Sequence, residues 1–164
     1  MTTTTREAPP EGHLLNETEW LTLRALADVI VPPSETYGIP GAGDEAIAKT
    51  MVKDADGGRK LEGLIRLLAT VGDMAEQAHG AAFYELSEDQ RQSVGMAFQA
   101  AHPGPATTIG MLVTQCYYRD DRVVLSLGMD TRPPMPLGYE VKQGDWSLLD
   151  QVRTRDTLYR PAGD

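Results

Sequence analysis

Apolar residues recur at intervals of three and four along each long segment of this chain, and this spacing constrains its fold more than any other feature. The interval matches the 3.6-residue turn of an α-helix, so each segment presents one apolar face. No two runs that alternate between apolar and polar residues are joined by a turn, so a β-sheet is not expected. The sequence therefore predicts an all-α fold, a compact bundle of about six or seven helices.

The clearest predicted helix covers residues 17–31. Leu23 and Leu26 fall on one face with the apolar residues that follow them. Asn16 and Glu19 have the spacing of a capping box, in which each side chain binds the other residue's backbone N–H. Pro32-Pro33 cannot continue a helix, so the element ends before them.

Further helices are expected at residues 44–53, 59–79, 88–101 and 121–127. Another is expected to begin with Pro105 in its first turn, and a last short helix is expected from a cap at Asp145 to about residue 152. Ser87 and Gln90 fit a second capping box. In the longest helix the expected apolar stripe consists of Leu61, Leu64, Ile65, Leu68, Gly72, Ala75 and Ala78. Gly63 and Gly72 weaken that helix by about 1 kcal/mol each, and close approach of a neighbouring helix would explain both.

Length favours a single domain, because 164 residues lie within the roughly 100–200 residues typical of one core. Residues 1–12 contain few apolar side chains, a threonine run and two prolines, so a flexible N-terminal tail is expected over residues 1–15. Residues 16–164 are then expected to form one helical domain. It closes in a Pro-rich, loop-rich C-terminal arm.

Charge and hydropathy argue against two classes of partner. The net charge is −9 and no basic stripe offsets it, so nucleic acid is not an expected partner. No apolar run approaches the roughly 20 residues of a membrane span, so membrane insertion is not expected either. The first residues show no apolar signal segment and no paired arginines, which predicts a cytoplasmic protein that becomes periplasmic only if a partner carries it.

Residues 41–46, Gly-Ala-Gly-Asp-Glu-Ala, fit a relaxed dinucleotide-binding pattern. That pattern requires a buried strand immediately before it, and here Pro32-Pro33 and Pro40 precede it instead. A glycine turn that leads into a helix N-terminus is the favoured interpretation. No cofactor-binding residue is therefore predicted in this chain.

Catalytic and metal-binding patterns are scarce. The three histidines, His13, His79 and His102, lie near neither one another nor the single cysteine, so no metal ligand is predicted. Cys116 falls on the apolar face of a helix, which indicates a core residue more than a nucleophile. No catalytic residue is predicted.

Aromatic residues and prolines concentrate in the C-terminal third, outside the long helices. Tyrosine, tryptophan and arginine are enriched at binding interfaces, and proline limits the entropy lost when a segment docks. The predicted partner interface consists of Tyr117, Tyr118, Arg132, Pro133, Pro134, Pro136, Tyr139 and Trp146.

Four stretches in this order resemble one protein family. They are residues 23–33 (LRALADVIVPP), 40–43 (PGAG), 86–91 (LSEDQR), and Tyr117-Tyr118 followed by Leu127-Gly128 and a proline loop that closes on Gly138-Tyr139. The chain resembles subunit 3, the small gamma subunit, of gluconate 2-dehydrogenase and related flavin-dependent sugar dehydrogenases over about residues 16–155. Cys116 departs from the pattern, since a small residue is expected before the paired tyrosines.

The resemblance implies a non-catalytic helical subunit bound to a large flavoprotein of the glucose–methanol–choline oxidoreductase type. FAD and the catalytic histidine would belong to that partner, and this chain would hold no cofactor. Many members of the family carry a twin-arginine signal and accompany the partner to the periplasm. This sequence shows no twin-arginine signal, which argues against an export role and favours a cytoplasmic complex.

Two other functions stay open at this stage. A stand-alone small enzyme could assemble a site from scattered polar residues such as His79, Asp120 and Asp121. A folding chaperone could bind the flavoprotein only transiently. Activity of the purified chain would indicate the first, and failure to form a lasting complex would indicate the second.

Overall fold

The computed structural model describes residues 14–56, 58–131, 135, 138 and 144–155. Within those residues the chain forms seven α-helices and no strand, which confirms the all-α prediction. Contacts divide the chain into two compact units, residues 1–131 and 132–164. None of the described helices is both long enough and apolar enough to cross a membrane.

The first helix, α1, spans Glu17–Ile30 and has the predicted cap. The Asn16 side chain accepts from the Glu19 N–H at 2.8 Å, and the Asn16 N–H donates to the Glu19 carboxylate at 3.0 Å. At the other end Val31 is extended, as expected for a residue before proline. Local sequence therefore defines both ends of α1.

Two helices follow in the first unit. Helix α2 spans Glu45–Ala55 and is capped by the Asp44 side chain, which accepts from the Ala46 N–H. Helix α3 spans Arg59–His79, as predicted, and ends where Gly80 adopts a left-handed conformation with φ +68°. Glycine accepts that conformation at little cost, which accounts for the C-terminus of α3.

A short 3-10 turn, Phe83–Glu85, leads to the remaining helices of this unit. Helix α4 spans Glu88–Ala101 with the predicted capping box between Ser87 and Gln90. Helix α5 spans Pro103–Tyr117, and α6 spans Asp121–Ser126. Because Pro103 needs no N–H partner at a helix start, α5 begins immediately after α4, with Pro105 in its first turn.

Helix α1 lies at the centre of the bundle, in contact with α2, α3, α4, α5 and the 3-10 turn. Its Leu23 and Ala27 are fully buried. Apart from α4, whose Val94 and Phe98 keep 3% exposure, every other element of the unit also contributes completely buried side chains, among them Ile47, Met51, Leu68, Val71, Phe83, Val113, Cys116 and Val123. One apolar core therefore extends from α1 to α6.

The buried face of α3 differs from the predicted stripe. Its buried residues are Leu64, Leu67, Leu68, Val71 and Ala75, whereas Ala78 is exposed. A Cβ added at Gly63 or Gly72 would meet no atom within 4 Å outside the helix itself. The expectation that a neighbouring helix approaches both glycines is therefore wrong, because α3 packs through a face that contains neither.

The described part of the second unit is short. It consists of a 3-10 turn, Trp146–Leu149, and a one-turn helix α7, Asp150–Arg153. The Asp145 carboxylate accepts from the Ser147 N–H at 3.0 Å, which confirms the predicted cap. The side chains from Trp146 to Arg153 are exposed.

Candidate functional site

Residues 41–43, here called the glycine loop, lie buried against the last turns of α1. The Gly43 N–H donates to Asp28 Oδ1 at 2.8 Å, and Arg24 Nε donates to the Gly43 carbonyl at 2.7 Å. Two polar side chains of α1 thus hold one residue of the loop from both sides. The loop is fixed to α1 immediately before α2 begins.

Close approach explains both glycines of this loop. A Cβ at Gly41 would lie 2.8 Å from Pro33 Cδ and closer still to the Asp28 carboxylate. A Cβ at Gly43 would lie 2.6 Å from Asp28 Cγ and would overlap the backbone carbonyl of Arg24. Neither glycine has a positive φ. The favoured interpretation, a glycine turn that leads into a helix N-terminus, is confirmed.

Asp28 has the environment of a perturbed carboxyl group. Partial burial raises its pKa, against the opposing effects of the Gly43 N–H and the Arg24 and Arg91 guanidinium groups. Raised carboxyl pKa values occur at catalytic sites but also in structural networks. Here Oδ1 already accepts from the loop backbone, so the carboxyl group has a structural role.

Arg122 joins the N-termini of α2 and α6. It donates to Asp44 Oδ1 at 2.7 Å and through Nε to Asp120 Oδ1 at 2.9 Å. These hydrogen bonds hold the pKa of both carboxyl groups below the usual range. Because the Arg122 side chain is half exposed, each ion pair contributes at most about 1 kcal/mol.

The end of α5 is tied to the same region. The Tyr117 hydroxyl donates to the Pro40 carbonyl at 3.3 Å, just before the glycine loop. Arg119 pairs with Asp54 of α2, and the Cys116 thiol lies 3.8 Å from the same carboxylate. Burial raises the pKa of Cys116 to about 11, so this thiol is protonated at neutral pH and suits the core, as predicted.

The family model for gluconate 2-dehydrogenase subunit 3 matches residues 17–130. The match covers most of the chain and ends where the first compact unit ends. The chain belongs to the gluconate 2-dehydrogenase subunit 3 family. Comparisons with curated proteins and with solved structures gave no match.

Residues 23–33, residues 40–43 and Tyr117, which belong to the stretches that suggested this family, meet in the structure. The α1 stretch that ends in Pro32-Pro33 supplies the partners of the glycine loop, and Tyr117 binds the carbonyl of Pro40. The match to residues 17–130 is shorter than the likeness expected over residues 16–155. The subunit 3 motifs within the bundle thus stabilise its fold through contacts within the chain.

Two of the polar residues named for a stand-alone enzyme have different hydrogen-bond partners. His79 lies 3.5 Å from the Gln90 side chain, whereas Asp120 binds Arg122. Among the described residues no hydrogen bond or ion pair joins His79 to Asp120 or Asp121. In that part of the chain, no group of three or more histidine, cysteine or carboxylate side chains is placed to hold a metal ion.

The predicted interface residues divide into three groups. Tyr117 is buried in the bundle, so the structure removes it from a partner surface, whereas Tyr118 is 56% exposed. Trp146, in the second unit, is also exposed. Arg132, Pro133, Pro134, Pro136 and Tyr139 lie outside the described residues, so their role stays a prediction.

Three further apolar residues on the surface were not singled out from the sequence. Leu125, Leu127 and Met129 are each more than half exposed, and they follow Tyr118 closely along the chain. We call these four residues the apolar edge. The sequence offered a signal for Leu125, because it is two residues from Val123 in a six-residue helix and a helix that packs through one face cannot bury both.

Proposed function

We propose that this subunit 3 protein is a non-catalytic accessory subunit whose partner is a large FAD-dependent dehydrogenase or oxidase of the glucose–methanol–choline type. The family match over residues 17–130 carries this proposal, because a subunit of a dehydrogenase implies a second chain in the complex. FAD and the groups that oxidise a sugar or glycoside belong to that second chain. We place the complex in the cytoplasm.

The polar groups of the bundle support a non-catalytic role. Four carboxyl groups in the described part of the first unit have shifted pKa values, and each is engaged by a backbone N–H, by Arg122 or by Lys49. They are Asp28, Asp44, Glu45 and Asp120. Every buried side-chain polar atom in the described residues has a hydrogen-bond partner. Such hydrogen bonds and ion pairs stabilise a fold.

The apolar edge supports a lasting partner. Tyr118, Leu125, Leu127 and Met129 expose between 52% and 61% of their surface within twelve residues of chain. Large apolar side chains grouped on a surface favour protein association, because water is released when they are covered. We propose that the dehydrogenase subunit covers this edge, together with Trp146.

Co-expression with the large dehydrogenase subunit tests the proposal. We expect the two chains to elute together in size-exclusion chromatography as one stable complex, since lasting interfaces often bury more than about 2,000 Å². The flavin absorbance should follow the complex and be absent from this chain alone. Separate elution of a stable, flavin-loaded large subunit would contradict the proposal and favour a transient chaperone.

A further inference from the structure

A groove of about 1050 Å³ lies between α3 and α5, both of which pack against α4. Phe98 of α4 and the following His102 line it between the two walls, and Asp54 and Ala55 of α2 line one end. The groove lies within the first unit and is separate from the glycine loop. Its volume is at the upper limit of pockets that hold small molecules.

The two walls differ in chemistry. The α3 wall carries Arg59, Lys60 and Arg66, all exposed. The α5 wall is mainly apolar and includes Leu112 and Met111, of which Met111 is 53% exposed. A ligand that fills the groove must therefore be acidic on one side and apolar on the other.

The charge of the groove is opposite to that of the chain. The whole chain has a net charge of −9, yet this groove is lined by three cationic side chains and one carboxylate. That carboxylate, Asp54, is already paired with Arg119, and of the three cations Arg66 pairs with Glu62 at 3.9 Å. Arg59 and Lys60 therefore supply the charge for a partner. An acidic partner is repelled by most of this molecule and attracted here, so electrostatic complementarity would direct it to the groove.

Gly63 lies on the α3 wall, where its missing side chain widens the groove. Glycine within a helix costs about 1 kcal/mol relative to alanine. Among the described residues, no atom outside α3 lies within 4 Å of a Cβ at this position, so packing within that part of the chain does not require glycine. A partner segment that lies in the groove would need the space that glycine leaves at position 63.

A small-molecule site would need polar atoms that converge on the ligand. The described residues offer no buried side-chain polar atom without a partner, and the cations of the groove are long, exposed side chains. Two helices that flank a groove with exposed cations on one wall and apolar Leu112 and Met111 on the other instead match the recognition of an amphipathic helix in a groove. The geometry therefore favours a helical segment of another protein.

We propose that this groove receives an amphipathic helix of the dehydrogenase subunit, with aspartate or glutamate facing Arg59 and Lys60 and apolar side chains facing Leu112 and Met111. The inference rests on the proposed function and adds the location and chemistry of the contact. Helix α5 runs from the groove to the apolar edge at Tyr118, so one partner can cover both surfaces.

Filling the groove tests the inference directly. Gly63→Leu places a side chain in the groove, whereas Gly72→Leu is a matched control nine residues along α3, on the opposite face of the helix. Both positions have open space around the added Cβ and glycine is a poor helix former, so neither variant should lower the melting temperature of the free chain. We expect the dissociation constant of the complex, measured by dilution and mass photometry, to rise at least 100-fold for Gly63→Leu. For Gly72→Leu it should change less than threefold.

Charge reversal provides a second test. Arg59→Glu with Lys60→Glu should weaken the complex about 100-fold at physiological salt and reduce its dependence on salt concentration. Lys49→Glu with Lys53→Glu makes the same change of charge on α2, outside the groove, and should weaken it less than threefold. Arg59 is the first residue of α3, where glutamate suits the helix dipole, so the fold should tolerate the exchange.

The outcomes separate this inference from the proposed function. If the unaltered chain forms no complex with the dehydrogenase subunit, both are wrong. If it does form the complex but the Gly63→Leu and charge-reversal variants bind equally well, the groove inference alone is overturned. A dimer of this chain that Gly63→Leu abolishes would assign the groove to a second copy and would also overturn the inference.

Discussion

Replacing Gly43 with alanine is expected to lower the free energy of unfolding by about 3 kcal/mol, although it adds only one methyl group. The new Cβ would overlap the carbonyl oxygen of Arg24 and lie 2.6 Å from Asp28 Cγ. The Arg24 carbonyl belongs to the backbone of α1, so it cannot move unless the helix moves with it. Relief of the overlap must therefore pull the glycine loop off α1 and break the hydrogen bonds that Gly43 makes to Arg24 and Asp28.

Urea unfolding of the free chain measures this effect. Gly72→Ala is the matched control, because it adds the same methyl group in open space within a helix and should raise stability by about 1 kcal/mol. Equal stability of Gly43→Ala and the unaltered chain would show that the loop does not lie against α1 as described.

Replacing Tyr118 and Leu127 together with alanine is expected to weaken the complex with the dehydrogenase subunit about 100-fold. Both side chains are more than half exposed in the free chain, so their loss should leave its melting temperature within about 2 °C. In the complex they would be covered, and a pair of truncated hot-spot residues typically costs several kcal/mol of binding free energy.

Titration of the two subunits followed by mass photometry gives the dissociation constants for this comparison. Tyr37→Ala is the control, since Tyr37 is 73% exposed in the loop between α1 and α2, away from the apolar edge in the sequence. An unstable free double variant that still forms a complex of full affinity would place the apolar edge in the chain's own packing and not in the interface.

Local sequence signals predicted the helix boundaries well. The capping boxes at Asn16 and Ser87 define the starts of α1 and α4, and Pro32-Pro33 defines the end of α1. These signals act through residues within one turn of each other, so no knowledge of the tertiary fold is needed to interpret them. The all-α class follows from the same short-range periodicity.

Contacts between distant residues could not be predicted in the same way. Arg122 binds Asp44 across 78 positions, and the Tyr117 hydroxyl binds the Pro40 carbonyl across 77. The sequence predicted Tyr117 in a partner interface because of its residue type and could not show that its side chain is buried in its own bundle. It also could not show that Gly63 faces an open groove, because a glycine's neighbours come from other helices.

A flavin and activity measurement on the separated chains tests the central claim of an accessory subunit most directly. This chain, the large dehydrogenase subunit and their complex should be purified in turn and assayed for bound FAD and for sugar-dependent reduction of an artificial electron acceptor. We expect FAD in the large subunit and in the complex, the highest and most stable activity in the complex, and neither FAD nor activity in this chain alone. Sugar oxidation by this chain in the absence of the large subunit, or FAD bound to it at near-unit occupancy, would contradict the account.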